Sequence, residues 1–307
     1  MAFASPTDAY TAANLAAMIP EKWSPIVNEA KFAPMTIANF VQDLSEYVSD
    51  GGDIVHVPNI YTNTFTVQTQ STQGAGLVDE SVAQVDTTLT VNLHKYIAWI
   101  IGDKDLQQLA TKYSLNEKYA SEARNLLIKA LEDSLFALWS SISTNTVGDT
   151  ATVLTDLEIR QSINKLDSTD YELEDCAFFF HPTVYWNQVV AVQKYYDKSM
   201  NGMDSVVRTG NFGPMSGPGR KGQLYNIPVF VSSRVVSGLQ TYRNLLLHKS
   251  ALGFAIQTKG GNMIRVQAEN QLRNLGLLTV ADIIYGVAVL REPAAVLVNA
   301  NSSATTA

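Results

Sequence analysis

The chain has 307 residues, of which 46% are hydrophobic and only 17% are charged; charged residues make up about 25% of a typical soluble protein. The net charge of −7 excludes a protein that grips nucleic acid through counterion release, because such binding needs a basic surface. The single cysteine, Cys176, excludes an intrachain disulfide, and no apolar run reaches the roughly 18 residues of a membrane span. The shortage of charge indicates large contacts between subunits.

Residues 1–52 predict an extended N-terminal arm. Prolines at positions 20, 25 and 34 interrupt the segment, so long helices are not expected there. Its first residues lack the basic start of a signal peptide. Trp23 and Phe32 give the arm apolar anchors, and Gly51 and Gly52 close it. The anchors pack either on the chain's own body or on a neighbouring subunit, and the sequence leaves both open.

Residues 53–101 predict a long β-hairpin. Polar and apolar residues alternate with a period of two around Phe65 and Val67, and again around Leu89 and Val91. A two-stranded hairpin with a thin apolar face is marginally stable alone, so we expect it to lie on a partner surface. No Lys or Arg occurs between residues 31 and 95. The hairpin is therefore acidic, and a basic surface on a neighbour would complement it.

Residues 103–143 predict the longest helix, because apolar residues recur there at three- and four-residue spacing. Ser114 and Asn116 mark a break, and the part after it would be about 40 Å long at about 1.5 Å per residue. Leu126 and Phe136 widen the apolar stripe. A stripe of this width indicates that the helix packs on a sheet.

The rest of the chain predicts a mixed α and β body. Thr155 and Glu158 form the capping-box pattern of a helix start. Pro228 indicates an edge strand or the start of a strand. The expected elements are a helix at 155–165, a buried strand at 176–180, a helix at 183–196, a Gly/Pro loop at 210–222, a strand at 223–235 and further strands up to the C-terminal tail.

No constellation of residues supports catalysis. Cys176 and His181 are five residues apart, but a thiol inside an apolar strand is buried and unreactive. The glycine-rich loop lacks the Lys and Ser or Thr that end a phosphate-binding P-loop. The four histidines are scattered and show no zinc-ligand spacing. We therefore predict no enzyme activity, no cofactor and no metal, and an enzyme with an unrecognised site stays as an alternative.

The order of these elements resembles the Hong Kong 97-type fold of tailed-phage major capsid proteins, an α+β fold. The segments AFFFHPTVYWNQV, YNIPVFVSSRV and IIYGVAVLREPAAVLV resemble its axial-domain and closing segments, although Tyr225 and Asn226 stand where many relatives have glycine. The resemblance implies an N-terminal arm at 1–52, an extended loop with flanking strands at 53–101, the spine helix of a peripheral domain at 102–150, an axial domain at 151–270, and return strands of the peripheral domain with a tail at 271–307.

The resemblance implies a structural function. Pentamers and hexamers of such a protein form an icosahedral virion shell, which assembles in the host cytoplasm and encloses double-stranded DNA without sequence-specific binding or membrane contact. A portal and decoration proteins are the implied partners. The hairpin begins at residue 53 and leaves no room for a scaffolding segment, so a separate scaffolding protein is implied. The hairpin also lacks the lysine through which some relatives cross-link. An encapsulin, which shares the fold and encloses cargo enzymes, is the alternative.

The resemblance places the hairpin across a neighbouring subunit and the loop 210–222 at the centre of a ring. The apolar residues expected at subunit interfaces are Trp23, Phe32, Phe65, Val67, Leu77, Val78, Leu89 and Val91. The basic residues expected there are Arg208, Arg220 and Lys221. These cations would face carboxylates of the hairpin or of another subunit.

Overall fold

The computed structural model describes residues 35–49, 51–59, 67–69, 85–102, 104, 115–192, 220–238, 240–258, 262–271 and 275–301. Its strands are β1 (Gln42–Asp43), β2 (Ile54–Asn59), β3 (Val85–Thr90), β4 (Leu93–Gly102), β5 (Thr146–Val147), β6 (Cys176–Phe180), β7 (Arg220–Leu224), β8 (Ile227–Val231), β9 (Thr241–His248), β10 (Leu252–Gln257), β11 (Arg265–Gln271), β12 (Gly276–Val289) and β13 (Ala295–Asn301). Its helices are α1 (Leu115–Ala137), α2 (Asp156–Asp167) and α3 (Pro182–Val184), which continues as a π turn, Tyr185–Val189. Short 3-10 turns occupy Ser45–Val48, Leu138–Ser141, Leu173–Asp175 and Glu292–Ala294.

The first sheet is organised around β12, which is 14 residues long. β4 runs antiparallel along one edge of β12, from Gly276 to Tyr285. The other edge is shared by β11, which pairs with the first half of β12, and by β10, which pairs with the second half. β1 extends this sheet beyond β10 as a short parallel strand. In the described part of the chain β4 pairs with β12 alone, so its outer edge carries no strand.

α1 packs on this sheet, as its apolar stripe predicts. Leu127, Leu131 and Leu135 recur at four-residue spacing and are buried together with Ala281 and Ile283 of β12. The helix ends at Ala137 and a 3-10 turn follows, which is earlier than the predicted end at residue 143. Among the described helices, none is both long enough and apolar enough to cross a membrane.

The second sheet has the strand order β5-β13-β9-β6-β8-β7. β6 is buried along its whole length, as the run of apolar residues predicts. Alternation along β6 divides its side chains between two cores: Phe179 joins the core shared with α1, whereas Phe178 and Phe180 join a second core beneath α2. The predicted capping box at the start of α2 is present, with both Thr155 and Glu158 engaged.

Two predicted elements differ from the structure. Within the described residues, the helix predicted at 183–196 is a short helix and a π turn that ends at Val189, and positions 193–196 lie outside the described ranges. The strand predicted at 223–235 is a hairpin of β7 and β8, turned at Tyr225 and Asn226. Both residues have positive φ, of 50° and 68°, as the tight turns of two-residue hairpins require. Pro228 lies near the start of β8, one of the two positions that its missing N–H allows.

Sheet membership also divides the chain differently from the predicted boundary at residue 270. β10 and β11 belong to the first sheet with α1, although they precede that boundary. β13, which follows it, belongs to the second sheet. The chain therefore crosses between the sheets twice after β9. The two sheets share one hydrophobic core, which contains residues of α1, β6, β9, β10, β12 and β13.

Candidate assembly interface

The base of the predicted hairpin is formed by β2 and β3, which pair antiparallel from Ile54 opposite Thr90 to Asn59 opposite Val85. This two-stranded ribbon lies on the chain's own first sheet. Leu89 and Val55 are buried there against Val48 and Ala255. The ribbon can approach the sheet closely only because residue 286 of β12 is a glycine. A Cβ at this position would lie 2.8 Å from the carbonyl carbon of Thr90.

Two of the predicted interface residues are therefore corrected. Leu89 is 0% exposed and Val91 is 8% exposed, and both belong to the small core beneath the hairpin base. Both side chains pack within the chain, since the period-two face that they share is covered by the chain's own sheet. The predicted alternation is present, but its apolar face is turned inward at this end of the hairpin.

Val67 is fully exposed, with its whole side chain accessible. Lys221 is half-buried on the edge strand β7, and Arg220 begins that strand. These two basic residues therefore belong to a strand and not to the predicted Gly/Pro loop. The other predicted contacts, Trp23, Phe32, Phe65, Leu77, Val78 and Arg208, lie outside the described residues, as does most of the hairpin between residues 60 and 84.

The hairpin region carries the whole net charge of the molecule. Residues 32–94 contain seven of the 29 Asp and Glu and none of the 22 Lys and Arg, so the rest of the chain is balanced. Asp43, Glu46, Asp53 and Asp86 are exposed around the hairpin base. His56 lies 2.5 Å from Asp86 across the ribbon, and this hydrogen bond lowers the pKa of Asp86.

An apolar groove lies between β4 and the first half of α1. It has a volume of about 260 Å³. β4 contributes Ile97, Trp99, Ile100 and Ile101, and α1 contributes Tyr119, Glu122, Ala123 and Leu126. Ile100, Tyr119 and Leu126 are each more than two-fifths exposed. Large exposed apolar side chains grouped on one surface are typical of a surface that binds another polypeptide segment.

A second exposed apolar area lies at the β7 edge of the second sheet. Trp186, Leu157 and Tyr225 are 57%, 54% and 41% exposed. The Tyr225 hydroxyl donates a hydrogen bond of 2.6 Å to Asp156, which brings the β7–β8 turn to the start of α2. The Tyr185 hydroxyl donates to the carbonyl of Lys221.

The residues with potential catalytic chemistry are held in structural roles. The Cys176 thiol is buried, its hydrogen bond goes to the Glu172 carbonyl, and burial raises its pKa to about 12. The His181 ring accepts a hydrogen bond from the Thr183 N–H, and burial lowers its pKa. Within the described ranges, no three His, Cys, Asp or Glu residues are grouped so as to hold a metal ion. The geometry around these residues is that of a packed core.

A buried carboxylate on α1 holds the backbone at Thr36 and Ile37, among the first described residues. Glu132 of α1 is 2% exposed and accepts hydrogen bonds from the backbone N–H groups of Thr36 and Ile37 and from the Thr36 hydroxyl. Burial raises its pKa, while the three donors oppose that shift. Thr36 and Ile37, within the predicted N-terminal arm, are thus attached to the C-terminal part of the long helix.

No protein-family model matches the sequence, and a search of curated proteins found no match. Solved structures do match. A structure of Mycobacterium phage Che8 has a TM-score of 0.74 at 18% identity, over 91% of this chain and 96% of that chain. The mature capsid of bacteriophage PhiM1 has a TM-score of 0.68 at 14% identity, over 91% of both chains. The SrpI encapsulin of Synechococcus elongatus PCC 7942 has a TM-score of 0.61 at 11% identity, over 97% of this chain and 98% of that chain.

The chain has the tailed-phage capsid fold. This confirms the α+β architecture that the order of its elements predicts. The capsid fold also accounts for the combination of a long helix and two sheets in one chain.

Sequence reasoning did not identify several exposed residues of this capsid fold. Tyr119 and Leu126 on α1, and Tyr96 and Ile100 on β4, were not predicted to form an interface. A signal was present, since the stripe of α1 is wider than one packing surface needs and β4 carries large apolar residues on both faces. Which half of such a two-sided pattern stays exposed is decided by tertiary packing.

Proposed function

We propose that this chain is the major capsid protein of a tailed phage, in which many copies form a closed shell around double-stranded DNA. The supporting observation is that nearly the whole chain, and nearly the whole of each similar structure, follows one architecture. A shell subunit works through shape: heterologous contacts that close give rings, and rings tile a shell. Under this proposal the protein belongs to the virion capsid and acts with a separate scaffolding protein, a portal and decoration proteins.

The hairpin is the element that we assign to contact between neighbours. Its base is fixed on the chain's own sheet, so its direction is set by rigid packing. Val67, beyond the base, is fully exposed. We propose that Val67, with Phe65, Leu77 and Val78, lies on a neighbouring subunit, in the region of its long helix. The arm residues Trp23 and Phe32 remain candidates for apolar contact.

The β7 edge of the second sheet is the part that we assign to the centre of a ring. Lys221 and Arg220 lie on this edge, and the segment 193–219 with Arg208 connects to it. These cations would face carboxylates of an adjacent subunit. Exposed Trp186 and Tyr225 in the same part of the molecule would supply apolar contact beside the charges.

The test is electron microscopy of the purified protein together with its mass in solution, alone and with the scaffolding protein that its own genome encodes. We expect five- and six-membered rings or closed shells. A uniform monomer or dimer under all of these conditions would contradict the proposal.

A second candidate is an encapsulin-like compartment, because the SrpI encapsulin shares the fold over almost the whole chain. A protein with a net charge of −7 would enclose a genome without binding it tightly, but it would enclose cargo enzymes equally well. The contents of shells purified from the native source distinguish the two. Double-stranded DNA supports the phage capsid, and an enclosed enzyme without DNA supports the encapsulin.

A further inference from the structure

The chain passes from the second sheet to the first through a tight turn between β9 and β10. β9 ends at His248 and β10 begins at Leu252, and the Ala251 N–H donates to the His248 carbonyl to close the turn. The return crossing from β12 to β13 lies against this turn, because the N–H groups of Leu290 and Arg291 both donate to the Ala251 carbonyl. The two crossings that follow β9 therefore meet at one turn.

The His248 ring supports this turn through one nitrogen. Its Nδ1 lies 2.8 Å from the Ser250 hydroxyl oxygen and 3.2 Å from the Ser250 backbone nitrogen. A backbone N–H can only donate, so Nδ1 accepts, and the proton of the neutral ring resides on Nε2. A protonated ring carries a hydrogen on both nitrogens and can accept neither bond. Protonation of His248 therefore removes the side-chain support of the turn.

The neutral groups around the ring favour its uncharged form. The Tyr171 ring packs on the His248 ring with their centroids 5.3 Å apart. Cys176 stands opposite His248 in the paired strands, and burial raises the pKa of its thiol to about 12, so it carries no charge. Ser250 is itself buried. This partial burial is the largest influence on the pKa of His248, and it lowers that pKa.

The charged groups that face His248 are of both signs. Asp175 and Glu172 favour the protonated ring, whereas Lys249 and Arg291 oppose it. The Lys249 ammonium lies 2.6 Å from Asp175 and offsets part of the attraction of that carboxylate. No single neighbour therefore fixes the charge of the ring, and the state of the ring depends on pH.

We propose that His248 is an acid-sensitive lock on the β9–β10 crossover, closed when its ring is neutral and released when its ring is protonated. Release loosens the connection between the sheet that packs on α1 and the sheet that contains β6, while both sheets stay folded. This inference goes beyond the proposed function and does not rest on it, because it concerns a turn inside one chain.

The tautomer and titration of His248 are measured first, by NMR of the free subunit labelled with ¹³C and ¹⁵N at histidine alone. His248→Asn identifies the signal among the four histidines. We expect a neutral ring with its hydrogen on Nε2 and a titration midpoint below the ordinary value of 6.5. A hydrogen on Nδ1, or a midpoint at or above the ordinary value, would overturn the proposal.

Hydrogen exchange with mass spectrometry then measures the lock at about pH 7.5 and about pH 5.5, on either side of the ordinary histidine pKa. After correction for the chemical exchange rate, we expect the peptide over residues 246–252 to exchange up to about tenfold faster at the lower pH. His248→Asn should show no such acceleration, because the Asn Oδ1 takes the place of Nδ1 and does not titrate. His181→Asn is the matched control, since His181 accepts from the Thr183 N–H in a different turn.

Acceleration in the parent and in His181→Asn, but not in His248→Asn, supports the lock. Equal acceleration in the parent and His248→Asn, or none in the parent, would contradict it. Acceleration spread evenly over both sheets would show general unfolding and would also contradict it. Ser250→Ala is a second variant, which keeps the titrating ring and removes one of its two donors. Its acceleration should be smaller than that of the parent.

Discussion

The phenol oxygen of Tyr285 lies 2.8 Å from the hydroxyl oxygen of Ser134, and both groups also lie within hydrogen-bond distance of the Ala130 carbonyl. This contact joins the central strand β12 to the long helix α1 inside the shared core. Tyr285 is fully buried, and burial raises the pKa of its phenol. The buried side chain therefore remains neutral and keeps its hydrogen bonds at ordinary pH.

Removal of this hydroxyl should weaken the junction of helix and sheet. We expect Tyr285→Phe to lower the free energy of unfolding by about 1 kcal/mol, because the buried contacts of the hydroxyl with Ser134 and the Ala130 carbonyl are lost while the ring still fills its place. Urea unfolding measures the difference. Tyr47→Phe is the control, since Tyr47 is 71% exposed and its substitution should change stability little. Equal effects of the two substitutions on the free energy of unfolding would contradict the stabilising role of the Tyr285 hydroxyl.

Glu132 should make stability depend on pH in the direction opposite to most carboxylates. Burial raises its pKa above the usual 4.5, so the folded state binds the proton more tightly than the unfolded state. Its contribution is present below the unfolded pKa and is lost as pH rises through the folded pKa. Glu132→Gln keeps an acceptor for the Thr36 and Ile37 N–H groups and removes the titration.

We expect the stability of Glu132→Gln relative to the unchanged protein to increase as pH rises from 4.5, measured by urea unfolding at a series of pH values. Glu132→Ala should instead cost about 2–3 kcal/mol, because buried donors lose their acceptor. A pH-independent difference between the Gln variant and the parent would show that Glu132 does not titrate abnormally.

Glu292 should make stability depend on pH in the direction that is usual for carboxylates. Its carboxylate accepts hydrogen bonds from the backbone and hydroxyl groups of Ser143 and Thr144, and the Thr144 hydroxyl is the largest cause of a pKa lowered to about 2. Its contribution is present above the unfolded pKa of 4.5 and is lost as pH falls toward about 2. We expect Glu292→Gln to cost about 1–2 kcal/mol at pH 7, with allowance for solvent screening of this partly exposed group.

Thermal unfolding of the parent and Glu292→Gln at several pH values tests this expectation. The stabilities of the two proteins, plotted against pH, should converge at acid pH. Glu174→Gln is a suitable control, because Glu174 belongs to a separate 3-10 turn and should show no comparable effect. A constant gap between the parent and Glu292→Gln would exclude the ionised carboxylate as the cause.

Gly286 should be intolerant of a side chain. A Cβ there would lie 2.8 Å from the carbonyl carbon of Thr90 and 2.9 Å from the Cα of Val91, both of them backbone atoms that cannot move aside cheaply. We expect Gly286→Ala to cost about 2–3 kcal/mol and to loosen the hairpin base. Limited proteolysis at residues 53–91 measures the loosening. Ala268→Val, on the exposed strand β11, should leave the cleavage pattern unchanged.

Val67 should matter for assembly and not for folding. A charge at this fully exposed position disturbs nothing within the chain, but it would be buried in the proposed contact with a neighbour. We expect Val67→Asp to abolish rings and shells while circular dichroism and thermal unfolding stay unchanged. Thr88→Asp adds the same charge to an exposed site on the hairpin base and should assemble normally. Normal assembly of Val67→Asp would remove this residue from the interface.

The sequence predicted the elements whose signals are local. The capping box at Thr155, the buried strand Cys176–Phe180 and the long helix after residue 114 all follow from capping and periodicity. It did not predict which face of a period-two strand is covered, so Leu89 was expected on a neighbour although its own sheet buries it. Nor did it predict that β13 returns to the second sheet, because strand pairing between distant segments leaves little local trace.

The net charge falls within residues 32–94, whose described carboxylates Asp43, Glu46, Asp53 and Asp86 are exposed around the hairpin base. Two copies that meet with these segments together repel each other, whereas a copy that offers its neutral part to the acidic part of the next does not. The repulsion acts over about 8 Å at physiological salt and over about 30 Å at 0.01 M. Unequal charge thus favours head-to-tail encounters over face-to-face pairing before any surface has touched, and this bias is strongest in dilute buffer.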